Sequence, residues 1–174
     1  MMDDSQNLLE LVATAQTNAK ASENDISEIL KLMDGQNGSD VQVEELRAAT
    51  VSLELLAVDI FSVFEARMQH HFRRGPFSRK LRALLLEAGK ADLADRVHHY
   101  YLAINVLKHG KGASYRELLN APNSLFVVKS TKDTPAEEAH TPVSLLDVTV
   151  PGFFDGLIST ILDAYHFLEK RSVS

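Results

Sequence analysis

The sequence predicts a mainly α protein: a single-domain helical bundle on a long central helix, with a small β-hairpin before the C-terminal helix. Three observations predict it. An apolar stripe at helical spacing runs unbroken from Leu46 to Phe72. A denser stripe runs from Phe153 to Leu168. Between Pro122 and Pro151 the pattern changes to two β-branched runs. The chain has 174 residues, 45% hydrophobic and 24% charged, which is apolar material for one core. Within that one domain, residues 1–38 read as an N-terminal helical segment and 39–174 as the bundle proper.

Residues 5–20 predict a short helix with Leu8, Leu9, Leu11, Val12 and Ala15 on one side. Ser22 to Asp25 reads as a break and a cap. A second short helix, about 25–34, follows on Ile26, Ile29, Leu30 and Met33, is stopped by Gly35 and turns through Gln36-Asn37-Gly38-Ser39. Ser39 or Asp40 caps the central helix. Its stripe is Leu46, Ala49, Leu53, Leu56, Ile60, Val63, Phe64, Met68 and Phe72. At a rise of about 1.5 Å per residue it spans about 45–50 Å.

Arg73-Arg74-Gly75-Pro76 ends that helix. A third, about 77–88, turns Leu81, Leu84 and Leu85 inward and is closed by Gly89. A fourth runs from near Ala91 to Lys108, before the turn Gly110-Lys111-Gly112. Ser114 then caps a short helix, Tyr115 to Leu119, with Glu117 three residues on at the capping-box position. Ser124 to Lys129 and Val143 to Val150 pair as a hairpin across the polar loop from Ser130 to Thr141. The last helix, about 153–169, carries Phe153, Phe154, Leu157, Ile158, Ile161, Leu162, Tyr165 and Leu168.

Composition excludes several function classes. No stretch reaches the roughly 18 uncharged apolar residues of a membrane span; the best, Val51 to Phe64, is interrupted by Glu54 and Asp59. Met1-Met2-Asp3-Asp4 lacks the basic start of a secretory signal, so cytoplasmic residence is expected. The absence of cysteine removes disulfides, thiol chemistry and thiolate metal sites. The adjacent pairs His70-His71 and His98-His99 diverge by about 100° on an α-helix, and there is no HExxH, so no metal site is expected. No GxGxxG, P-loop or GxSxG is present, so no cofactor is expected.

The net charge is −6, but it is unevenly spread. Residues 67–116 hold eleven basic side chains against Glu87, Asp92 and Asp95, a local charge of +8 within surroundings of −14. Five of the seven histidines lie there too. Such asymmetry suggests an anionic partner, with Arg73, Arg74, Arg79, Lys108 and Lys111 as its contacts; the same pattern also fits basic helices docked on acidic ones.

The fourth helix holds the candidate chemistry. On a helical wheel Leu93, Val97, Tyr100, Ile104 and Leu107 form the core face within about 80°. A second stripe, His98, Leu102, Asn105 and His109, lies roughly opposite. Asn105 and His109 are one turn apart and within mutual reach. Three readings fit: polar groups serving the helix end, a basic cleft for an anion such as RNA, or acid–base catalysis by His109.

The run Ile104-Asn105-Val106-Leu107-Lys108-His109, near the end of a core helix in a small helical bundle, resembles the HEPN superfamily over roughly residues 41–120. That family's motif is Arg, usually then Asn, then three residues and His. Asn105 and His109 match it, and Ile104 stands at the Arg position. The resemblance implies a helical protein of defence or toxin–antitoxin systems. Active members form a composite cleft between two subunits and cleave RNA through the ribose 2′-OH without metal. It therefore implies a homodimer with His109 as base and Asn105 beside it. Without the Arg that stabilises the charged phosphorane, a degenerate member that binds RNA or a partner protein is expected. The alternatives are a metal-independent RNase using His109 and an interaction homodimer with no nucleic-acid partner.

Overall fold

A computed structural model describes residues 4–33, 38–121, 126–128, 145–150 and 152–172. The protein is mainly α. Helix α1 spans Asp4–Leu32 and α2 spans Asp40–Met68, continued by a 3-10 turn at Gln69–His71. Then come α3 (Phe77–Glu87), α4 (Ala91–His109) and α5 (Ala113–Asn120). Two short strands, β1 (Val127–Val128) and β2 (Leu146–Asp147), precede α6 (Phe153–Ser172).

Helices α1 and α2 form a hairpin. α2 starts where Ser39 closes a capping box: its hydroxyl accepts from Gln42 N at 3.2 Å and its own N–H donates to Gln42 Oε1 at 3.0 Å. Asp40 is thus the first helical residue rather than the cap, and places a carboxylate against the positive end of the dipole. From the predicted stripe Leu53, Ile60, Phe64 and Met68 are fully buried, and Leu46, Ala49, Leu56, Val63 and Phe72 flank them.

The expected break at Ser22–Asp25 is not there; α1 is continuous. Ser, Asn and Asp each reduce helix stability by under about 0.7 kcal/mol relative to Ala, and that segment holds no Gly or Pro. Tertiary packing outweighs this: Leu8, Val12, Ala15, Ala19 and Ile26 form one buried line through it. Glu23 within the segment is itself partly buried, with its carboxyl held above the usual range by burial and by Asp155 of α6.

α3 stops as expected at Gly89, whose φ of +78° suits glycine, with Lys90 N bonded to Leu85 O at 2.8 Å. The strands pair antiparallel, Val127 with Asp147 and Val128 with Leu146. The expected loop from Ser130 to Thr141 lies wholly outside the described residues, as do Ser124, Leu125 and Lys129 of the first predicted strand and Val143 and Ser144 of the second. Phe126, Leu146 and Val148 are buried beneath α4 and α6.

Tyr100 of α4 sits at the centre of the core with no exposed surface. Its ring meets Phe126 at 5.6 Å and Phe153 at 5.7 Å, and its hydroxyl donates to Phe153 O at 3.0 Å. α6 buries every residue of its expected stripe except the half-buried Leu162. Among the described residues no helix is long and apolar enough to cross a membrane.

Candidate functional site

The second face of α4 does not point to solvent. Leu102, at the centre of the second stripe, is 4% exposed and lines a cleft, and Ala103 and Val106 beside it are also buried. The wheel assumes one core face, but α4 packs against α2, α3, α5 and α6. Asn105 and His109 consequently go separate ways. The Asn105 amide donates to Ser114 Oγ of α5 at 3.2 Å, while His109 is exposed at the helix end beside Lys108. Ser114 does not cap α5, which begins one residue earlier with Gly112 as N-cap. Nor does Glu117 close a capping box. Its carboxylate meets His98 Nε2 at 2.9 Å. Both side chains were expected to serve their own helix, and both serve α4.

These contacts floor a cleft of about 450 Å³ between α3, α4 and α5. It is lined by Ser78, Arg79 and Arg82 from α3, His98 and Tyr101 from α4, and Ser114 from α5, among others. Three features set its chemistry. First, Ser78 Oγ and Arg82 Nε are buried and have no hydrogen-bond partner among the described residues. A buried donor left unmade costs about 1–3 kcal/mol, so each suits an ordered water or an outside acceptor reached by a small side-chain movement. Second, α3 and α5 both begin at this cleft, and neither start carries a side-chain cap. Their first-turn N–H groups and dipoles favour negative charge. Third, Tyr101 and His98 place a stacked aromatic pair in the lining, their rings at 27° and 6.5 Å.

Part of the positively charged segment faces water, while Lys108 also lies near the Glu65 carboxylate of α2. Arg73, Arg74, Arg79, Lys108 and Lys111 are all exposed. Arg73 and Arg74 lie on the turn before α3 and Lys111 on the turn before α5, so the connections into both helix starts are basic. Arg96 is different: it bonds Asp163 Oδ2 of α6 at 2.9 Å. That pair closes a larger cleft, about 580 Å³, between α4 and α6, where the arginine already has its counter-charge.

Sequence reading named Arg79 as a site residue and placed His98 on the second stripe of α4, but did not single out Ser78, Arg82 or Tyr101. A signal for Ser78 was present. It stands three and seven residues before Leu81 and Leu85, a polar residue in an apolar stripe.

Burial, and then the Arg82 cation, hold the His98 pKa below its ordinary 6.5, against the pull of Glu117. His71 is shifted the same way, by burial first and by His70 next. Just below pH 6.5 the unfolded chain therefore binds protons that the folded chain refuses. Stability falls as pH drops through that interval and levels off below the folded pKa. Glu23 and Glu65, raised chiefly by burial, have the opposite sign: their contribution is full below 4.5 and is lost as pH rises. A single-residue variant separates the two. The urea midpoint should drop between about pH 7.5 and about pH 5.5, and His98→Asn should show a smaller drop. Equal drops in both proteins would remove His98 as a cause.

Comparison of the chain with family models, with curated proteins and with solved structures gave no match.

Proposed function

We propose that this chain is a non-catalytic RNA-binding protein that takes single-stranded RNA into the cleft between α3, α4 and α5. The observation that carries the reading is a pair of buried donors with no partner among the described residues, Ser78 Oγ and Arg82 Nε, at the meeting of two uncapped helix starts. That donor set matches a phosphate, which offers several acceptor oxygens and full negative charge. Tyr101 and His98 add an aromatic pair on which an unpaired base can stack, about 1–3 kcal/mol per base. The exposed cations on both flanking turns extend the contact along the RNA backbone.

The HEPN-like reading contributes RNA as the ligand class. Its catalytic form needs Asn105 and His109 together, and Asn105 bonds Ser114 instead. Ile104, at the motif's Arg position, is buried in the core.

The test is fluorescence anisotropy of a labelled single-stranded RNA at a series of salt concentrations, with EDTA present. Log affinity should fall linearly with log salt, by about 0.7 for each phosphate neutralised, and the RNA should stay intact. Absent or salt-insensitive binding would overturn the reading. EDTA-resistant cleavage that disappears in His109→Ala would replace it with the ribonuclease alternative.

A further inference from the structure

We infer that the protein has a binding site for a zinc-like divalent transition-metal ion, held by His70, His71 and Glu169. The two histidines form the 3-10 turn that follows α2, and Glu169 stands near the end of α6. One ligand-capable atom of each lies within 4.8 Å of the other two. Adjacent side chains on a 3-10 turn still leave the backbone about 120° apart, so it is the side-chain conformations that bring the two imidazoles together. The rings are 4.2 Å apart, at 35°.

Hydrogen bonding sets the ligand atom of His70. Its Nδ1 lies 2.8 Å from the carbonyl oxygen of Arg67. A carbonyl only accepts, so Nδ1 carries the hydrogen and Nε2 keeps its lone pair. A backbone carbonyl fixing the far nitrogen is the usual support behind a metal-binding imidazole. His71 presents Nε2 at 3.6 Å from Glu169 Oε1. With metal–ligand bonds of about 2.0–2.1 Å, that separation subtends about 120–130° at one ion, so the two atoms need to close by only a few tenths of an ångström to reach the tetrahedral angle. His70 is exposed and closes onto the ion by side-chain rotation. Two imidazoles and one carboxylate make a nitrogen-rich set that suits zinc or cobalt over magnesium or calcium. The three ligands leave a fourth position for water. Glu169 supplies the counter-charge, against Arg171 nearby. A bound ion would join the end of α2 to the end of α6.

The test uses tag-free full-length protein. Addition of Co²⁺ should give visible d–d absorption that stoichiometric Zn²⁺ abolishes, and Zn²⁺ should raise the melting temperature. His70→Ala and Glu169→Gln should each weaken Co²⁺ affinity at least tenfold, while circular dichroism and metal-free melting stay as in the parent. Both positions reach solvent, which keeps these variants foldable where His71→Ala, at a side chain only 10% exposed, would not be. No absorption at millimolar Co²⁺ would overturn the inference. So would a cobalt spectrum that both variants retain. Neither result bears on RNA binding, which is measured in EDTA.

Discussion

Gly156→Ala should lower the stability of this protein by about 3 kcal/mol, seen as a melting temperature about 6–12 °C lower. Gly156 stands in the first turns of α6, where a Cβ would run into the Tyr100 hydroxyl. Tyr100 has no exposed surface and cannot swing aside. Its hydroxyl is held by Phe153 O, and burial pushes its pKa up to about 12, so it stays a neutral donor. Forcing a methyl into such a site costs about 1–3 kcal/mol in overpacking. Losing the buried hydrogen bond costs about another 1–3 kcal/mol. Alanine's better helix propensity returns only about 1 kcal/mol. The control is Tyr100→Phe, which removes the obstructing atom. The next nearest ring atom is then 3.5 Å from the new methyl, an ordinary contact. In that background Gly156→Ala should cost little or nothing, giving a coupling of about 2–3 kcal/mol in a double-mutant cycle. Additive effects would mean that α6 moves bodily and that the contact is not the cause.

This junction illustrates what the sequence could and could not reveal. The α6 stripe and the capped start of α2 were legible because each rests on residues within a few positions of one another. Ser39 needs only Gln42, and Phe153 to Leu168 needs only the 3.6-residue period. The α1 break was misread because Ser22 to Asp25 are poor helix formers locally, and only α2, some distance along the chain, shows that Ala19 and Ile26 belong to one buried line. Helix α4 was misread for the opposite reason: wheel reasoning grants a helix one buried face, and α4 is surrounded. The candidate site was half legible. Its charge could be counted, so Arg79 and the flanking cations stood out. Its donors could not, since Ser78, Arg82, His98 and Ser114 lie on three helices and meet only through packing. Nor could local rules foresee that Glu117 and Ser114 would leave their own helix to bond His98 and Asn105.

Replacing Arg79 and Arg82 together by Gln should weaken RNA binding by about ten- to hundredfold at low salt, with most of the loss arising at Arg82. A hydrogen bond to a charged group contributes about 1.5–3 kcal/mol, and the buried Arg82 Nε is placed to make one undiluted by water. Arg79, exposed at the rim, interacts through solvent and contributes less. The salt slope should also flatten by about 1.4, the share of two phosphate contacts on a single strand. The comparison that decides the matter is Lys108→Gln with Lys111→Gln, which removes the same formal charge from exposed positions outside the lined cleft. If the whole positive face simply attracts polyanions, the two double variants will weaken binding equally. If the cleft is the site, the arginine pair will lose far more affinity, and Ser78→Ala, which removes the other orphaned donor while keeping the charge, will weaken binding without changing the salt slope. That last result separates a built phosphate site from a diffuse field, because a field depends on charge and is indifferent to one hydroxyl.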